Sequence, residues 1–270
     1  MNNIGRNSFD IGYMDVLASG NSPLHRLSPG AKIITTLIFI ITVVSFSKYE
    51  VLALLPFFIY PVALIASAGL PAGYLLRKVL LVSPFAVLLG ILNPLIDKQV
   101  LFYLGPFGIS GGWISFTSII LRFVLTVTSA MCLAALTGFN TICESLLNLG
   151  VPRVFVSQLL FFYRYIFVLA DEAERMVRAS SFRASFTAAL GFRTFIPLVS
   201  NLLLRTLDRA ERIYCAMSCR MFDGHMHVHE QKRMAYREIR YIFGWLFLFL
   251  LFRFFNFPLY LGSLVTGHLK

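Results

Sequence analysis

Apolar runs separated by brief polar breaks dominate the first half of the chain. A bilayer-spanning helix needs roughly 17–25 mostly apolar residues. The first run extends from Ile33 to about Ser47, and Lys48, Tyr49 and Glu50 interrupt it. The second runs from Val51 to about Leu70 with Pro61 inside, so the two read as a helical hairpin across a bilayer. Leu70-Pro71-Ala72-Gly73 ends that run, because Pro and Gly break helices. Arg77 and Lys78 open a third run, Val79 to about Ile96, which carries Pro84 and Pro94. Pro is tolerated in membrane helices where neighbours satisfy the freed carbonyls. Asp97–Gly112 reads as a Gly/Pro-rich outer loop, and Trp113 to about Leu136 forms a fourth run.

Beyond Gly138 the pattern changes. More than half of all Lys and Arg residues lie between Gly138 and Arg240, yet Val154–Ala170 and Phe195–Leu204 are apolar and each leads into a charged stretch. Such segments predict long helices with one end near the bilayer and the other in the cytoplasm. A fifth run, Tyr241 to about Phe255, carries Trp245 and several Phe, as at an aromatic interface belt, and Arg253 near its far end can snorkel.

The predicted fold is therefore an all-α integral membrane protein with about five transmembrane helices plus a cytoplasmic domain of two long helices. Residues 1–32 form a cytoplasmic N-terminal segment and 33–137 hold transmembrane helices 1–4. Residues 138–237 form the cytoplasmic domain, and 238–270 hold the last transmembrane helix and a tail.

Composition supports this division. The 270 residues are 57% hydrophobic and 14% charged, against about 25% charged in a soluble domain. The net charge of +11 fits cytoplasmic loops of a membrane protein better than a nucleic-acid partner, which is not expected. With the N-terminus in the cytoplasm, His25, Arg26, Lys32, Arg77, Lys78 and residues 138–240 all lie inside. The outer side then holds only Lys48, Lys98 and Lys270. The predicted location is the cell membrane, multi-pass, with lipid around the spans. Met1–Lys32 has no apolar core and does not read as a cleavable signal peptide. Cys132, Cys143, Cys215 and Cys219 lack metal-ligand spacing and read as small apolar side chains. Arg122, deep within the fourth run, is expected to face a structural partner rather than to act directly in transport.

Two charged stretches repeat each other. Asp171-Glu172-Ala173-Glu174-Arg175 continues to Phe182-Arg183-Ala184, and Asp208-Arg209-Ala210-Glu211-Arg212 continues to Cys219-Arg220-Met221. Superposing Glu174-Arg175 on Glu211-Arg212 brings Arg183 onto Arg220 without a gap. Asp171–Arg175, Glu174–Arg178 and Asp208–Arg212 have the i,i+4 spacing of helix-surface ion pairs. Arg183 and Arg220 have no acid at such spacing except Asp223. An unpaired Arg at a helix end suits a carboxylate on another protein, through its planar fork. Two of them at matched positions point to a two-fold-related partner with equivalent sockets. The chain has no G-x-x-x-x-G-K-[ST] phosphate loop of its own.

These features resemble the transmembrane (T) component of energy-coupling factor transporters, CbiQ type. Phe182-Arg183-Ala184 and Cys219-Arg220-Met221 look like the Ala-Arg-Gly-like ends of the family's coupling helices, keeping the Arg but not the flanking Ala and Gly. Residues Ser22-Pro23-Leu24-His25-Arg26 through Lys32 resemble the family's entry into its first membrane helix. Leu149-Gly150-Val151-Pro152 with Tyr163-Arg164-Tyr165, and Ala216-Met217 through Phe222-Asp223-Gly224, resemble the start of the first coupling helix and the end of the second. The resemblance implies two ATP-binding cassette ATPase subunits docked on Phe182, Arg183, Ala184, Cys219, Arg220 and Met221. It also implies a small membrane S component that captures substrate, with cobalt or nickel as cargo in this branch and vitamins such as biotin in others. No catalytic residue, metal site or cofactor is expected in the chain itself, since ATP would be bound by the partner ATPases.

His225, His227 and His229 alternate after the second charged stretch and read as a solvated linker rather than a metal site. A self-contained secondary transporter would call for inverted repeats and several intramembrane ionisable groups, whereas this pattern shows five spans, no inverted repeat and few such groups. An intramembrane metallopeptidase would call for H-E-x-x-H, which is absent.

Overall fold

The computed structural model describes residues 13–48, 50–96, 100–104, 107–183, 192–222 and 236–254. In chain order the helices are α1 (Pro29–Val44), α2 (Val51–Leu54), a 3-10 turn (Leu55–Phe58), α3 (Ile59–Ala68), α4 (Ala72–Gly90) and α5 (Leu92–Ile96). Two strands follow, β1 (Val100–Leu104) and β2 (Phe107–Ser110). Then come α6 (Gly111–Thr137), α7 (Phe139–Asn148), α8 (Arg153–Arg183), α9 (Phe192–Cys219) and α10 (Tyr236–Phe254). The fold is that of an all-α membrane protein, apart from one short hairpin. Two compact units emerge: Val16–Gly138 with Lys232–Lys270, and Met1–Asp15 with Phe139–Gln231.

The first unit is built around α6, against which α1, α3 and α4 pack. Ser28 caps α1, its Oγ accepting from the Ala31 N–H at 3.4 Å, and Pro29 follows at the first helical position. The segment from Val51 to Ala68 is tightened into a 3-10 turn where Pro56 enters, since Pro donates no backbone N–H. The core is aromatic. Phe39 is fully buried, with ring centroids 4.5 Å from Tyr60 and 5.4 Å from Phe249. Tyr60 stands edge-on to Trp245 at 4.8 Å, and its hydroxyl pairs with Thr36 Oγ1 at 2.9 Å. Between helices in lipid there is no hydrophobic driving force, so such close packing and buried hydrogen bonds hold the unit together. The outward face of α4 carries exposed Leu76, Leu80, Leu81, Phe85 and Leu88. A soluble protein rarely leaves so large an apolar patch in water.

Two helix limits and one loop differ from the hydropathy runs. α4 starts at Ala72, so Arg77 and Lys78 lie inside it, and Lys78 Nζ sits 5.5 Å from the Tyr74 ring centroid. α10 starts at Tyr236, because Glu238 in its first turn is fixed by the Ser28 N–H at 2.9 Å. The predicted loop after Ile96 contains the antiparallel pair β1–β2, with Phe102 opposite Ile109 and Leu104 opposite Phe107. Val100-Leu101-Phe102-Tyr103-Leu104 is rich in residues that favour strands, which outweighs the Gly/Pro content around it.

Four described helical segments are long and apolar enough to cross a membrane: Val51–Ala68, Ala72–Pro94, Gly111–Thr137 and Arg153–Phe182. Pro29–Val44 is apolar but shorter.

Candidate functional site

The second unit contains α7, α8 and α9. Asp15 anchors it: one carboxylate oxygen accepts from the Phe139 N–H at 3.3 Å, satisfying an otherwise open donor at the start of α7, and the other accepts from the Tyr163 hydroxyl. Phe139 stacks on Tyr163 at 4.3 Å, so α7 and α8 are joined at the same point. Gly150 (φ 92°) ends α7, with Val151 N–H donating to Leu146 O at 3.1 Å and Gly150 N–H donating to Leu147 O at 3.1 Å. Pro152 then admits α8.

α8 and α9 cross where Glu172 takes two guanidinium groups, Arg175 at 2.8 Å within α8 and Arg205 at 2.8 Å from α9. Arg175 therefore pairs with Glu172 at i−3 and not with Asp171, because Glu172 can serve both helices at once. Arg178 does meet Glu174 at 3.6 Å as its spacing predicts, whereas Asp208 and Arg212 make no ion pair among the described residues. A groove on one side of the crossing is lined by Met176, Ala179 and Ser180 of α8 and by Pro197, Leu198 and Asn201 of α9. A smaller one on the other side is lined by Leu169 with Thr206, Arg209 and Arg212. Moving up α8 thus means moving down α9: the two helices are antiparallel.

That orientation gives the sequence repeat a geometric meaning. The alignment of Arg175 with Arg212 carries Leu169 onto Thr206, and these two equivalent positions face the same cavity. Matched helices that run antiparallel point their equivalent ends in opposite directions. Arg183 and Arg220 then lie at opposite ends of the pair, about 17 Å and about 23 Å along their helices from the Glu172–Arg205 contact at about 1.5 Å per residue. The two tips are at most about 40 Å apart by the same rise.

At the first tip, Phe182 is 88% exposed and Arg183 is the last residue of α8. Ala184 lies outside the described residues, as do His225, His227 and His229. At the second tip Cys219 closes α9, and Cys219, Arg220 and Met221 are all exposed, Met221 to 91%. Among the described residues no carboxylate pairs with Arg220. α9 ends in a Schellman turn, with Phe222 N–H donating to Met217 O at 3.1 Å and Met221 N–H donating to Ser218 O at 3.1 Å. Met221 occupies the left-handed position of that turn, φ 56°.

The other singled-out arginines do different work. Arg122 donates to the Ser47 carbonyl at 2.6 Å, and its Nε finds no acceptor among the described residues. Arg253 donates to the Ser45 carbonyl at 3.2 Å and lies over the Phe46 ring at 4.3 Å. Both serve open carbonyls just past the C-terminus of α1, the structural role expected of Arg122. Sequence reasoning missed Lys32, which it counted among solvated cytoplasmic charges. Lys32 is buried and donates to Leu136 O at 3.1 Å and His25 O at 3.3 Å, closing the last turn of α6. It also missed Asp15 and Glu238, whose partners are far away in sequence.

Comparison with known proteins now decides the family. The chain matches the cobalt transport protein family CbiQ over residues 20–234. It belongs to that family. Similar proteins include the energy-coupling factor transporter transmembrane protein EcfT of Thermosediminibacter oceani, 25% identical over 76% of this chain and 82% of its own length. The EcfT of Leuconostoc gelidum is 27% identical over 82% of this chain and 87% of its own length. A putative fused cobalt transport protein CbiMQ of Methanocorpusculum labreanum is 30% identical over 41% of this chain and 19% of its own length. The resemblance read from the motifs is thus borne out, and this CbiQ-family chain is a membrane component of a transporter.

Proposed function

We propose that this chain is the energy-coupling transmembrane subunit of an ECF-type ABC importer, transmitting ATP-driven motion of an ATPase dimer to a substrate-binding S subunit for cobalt or nickel uptake. The observation that carries this reading is the antiparallel crossing of α8 and α9, whose matched arginines stand at opposite ends of the pair. A dimer of identical ATPase subunits offers two equivalent sockets related by two-fold symmetry, and two matched tips pointing in opposite directions suit such a pair. Closure of the dimer would pull the tips together and turn α8 against α9 about the Glu172–Arg205 contact. Only the first half of α8 is apolar, and its second half carries Asp171, Glu172, Glu174, Arg175, Arg178 and Arg183. It is therefore read as a coupling helix resting at the cytoplasmic face of the cell membrane, with the N-terminus also cytoplasmic. The chain performs no covalent chemistry in this role, and ATP belongs to the partner subunits. The choice of cobalt or nickel rests on the family description and on the fused relative's name.

The test combines capture and uptake. Chain purified from membranes should carry the ATPase subunits with it, and recovery without them overturns the reading. Arg183→Glu and Arg220→Glu should each weaken ATPase binding about 30-fold or more, the cost of breaking a docked charge pair. The double variant should reduce ATP-dependent uptake to background; uptake at the wild-type rate would remove the assigned role of both arginines. Cobalt, nickel and biotin compared side by side should show accumulation of a metal ion, and accumulation of biotin alone would overturn the cargo.

A further inference from the structure

Among the described residues, four positions at helix C-termini take positive φ: Gly69, Gly138, Gly150 and Met221. The first three follow α3, α6 and α7, where the chain needs only to turn, and glycine adopts this conformation without steric cost. Met221 adopts it at φ 56° with a side chain that must be held against its own backbone. Backbone strain at a non-glycine position persists where the side chain is needed. Here the side chain is almost wholly in solvent, 91% exposed, so it contributes no packing that would justify the strain. It stands directly beside Arg220, which has no carboxylate partner among the described residues.

We propose that Met221 is a specificity-determining knob, which the left-handed turn holds out next to Arg220 so that it enters an apolar pocket beside an acidic group on the cognate ATPase subunit. The inference rests on the coupling function proposed above. Arg220 supplies the charge that any acidic socket would accept, and Met221 supplies a shape that only a socket with an adjoining apolar pocket can fill. Met suits this task, being unbranched and polarizable, and able to fit an irregular cleft. The carboxylate and the pocket must lie on one surface, since consecutive residues of a tight turn project the two side chains. A subunit whose socket lacks the pocket would clash with the thioether and would be rejected, which is how a chain keeps to one ATPase among several.

The experiment uses the full chain in lipid nanodiscs, titrated with the purified ATPase subunits of the same organism's energy-coupling factor transporter. Thermal melting of each variant is measured in parallel. Met221→Gly removes the knob and relieves the turn, so a purely structural role predicts equal or tighter binding and an equal or higher Tm. The knob predicts an equal or higher Tm with binding weakened about tenfold or more, the factor that burial of one Met side chain supplies. Met221→Leu keeps an apolar side chain of similar size and should stay within about threefold of wild type, as volume-conserving swaps do. If Met221→Gly binds as well as wild type while Arg220→Glu does not, the knob is overturned and the coupling function stands. If wild type binds no ATPase at all, both are overturned. A lower Tm for Met221→Gly would overturn the premise that the turn is strained.

Discussion

The two units of this chain use the same residue types to opposite ends. In the unit built around α6, Phe39 is fully buried between Tyr60 and Phe249, and Arg122 and Arg253 spend their donors on the open carbonyls of Ser45 and Ser47. In the α8–α9 unit, Phe182 stands 88% exposed and Arg220 meets no carboxylate among the described residues. The first unit fills its own core, although Ser115, Ser118, Thr137 and the Arg122 Nε keep buried polar atoms without a partner among the described residues. The second leaves Phe182 exposed at one tip and Arg220 and Met221 exposed at the other. On the function proposed above, the first unit is the scaffold and the exposed tips of the second are the docking surface.

The largest expected effect comes from exchanging the two phenylalanines for alanine. Phe39→Ala should cost about 3–5 kcal/mol, the usual loss when a buried Phe leaves a cavity, and should sharply lower the melting temperature in detergent. Phe182→Ala should stay within about 0.5 kcal/mol of wild type, as exposed positions do. Comparable losses at both positions would erase the distinction between the units.

A smaller effect separates the arginines. Arg122→Met orphans the Ser47 carbonyl and should cost about 1–3 kcal/mol, read as the fraction of monodisperse protein surviving heating. Arg220→Met removes no ion pair to any described residue and should melt with wild type. A destabilised Arg220→Met would show that the second tip is closed by contacts within the chain.

The smallest effect lies at the crossing. Glu172→Gln weakens both ion pairs, but Arg175 and Arg205 are largely exposed. The expected cost is about 0.5–1 kcal/mol, most visible in low salt and largely gone at high ionic strength. Proteolysis of the α8–α9 connection as a function of salt reads this directly. A salt-independent loss of several times that size would make the crossing a buried structural lock instead of an exposed pivot.

Much of this was written in the order of residues. Apolar runs marked Val51–Ala68, Ala72–Pro94 and Gly111–Thr137, three of the four described segments long and apolar enough to cross a membrane, because a bilayer imposes length and polarity on each segment independently of its neighbours. The fourth, Arg153–Phe182, lies in the stretch read as cytoplasmic. The paired motifs ending in Arg183 and Arg220 were legible for a related reason, since a repeated helix surface leaves a repeated spacing. Helix ends were legible only where the terminating residue is local, as at Gly69 and Pro71. The start of α10 was not, because Glu238 is held by Ser28 from the far end of the chain.

The site divides in the same way. The sequence alone determined the family resemblance, the two arginines and their flanking residues, all of which are properties of one segment at a time. Only the tertiary structure decided that α8 and α9 run antiparallel, so that matched arginines sit at opposite ends of the pair. It alone showed Lys32 buried against Leu136 and His25, since nothing near a lysine in sequence reveals which distant carbonyls enclose it. It alone placed Met221 in a left-handed turn, where the hydrogen bonds to Met217 and Ser218 hold the backbone in a conformation its own side chain resists. Composition and spacing report what a segment prefers; which preferences are overruled depends on contacts made in three dimensions.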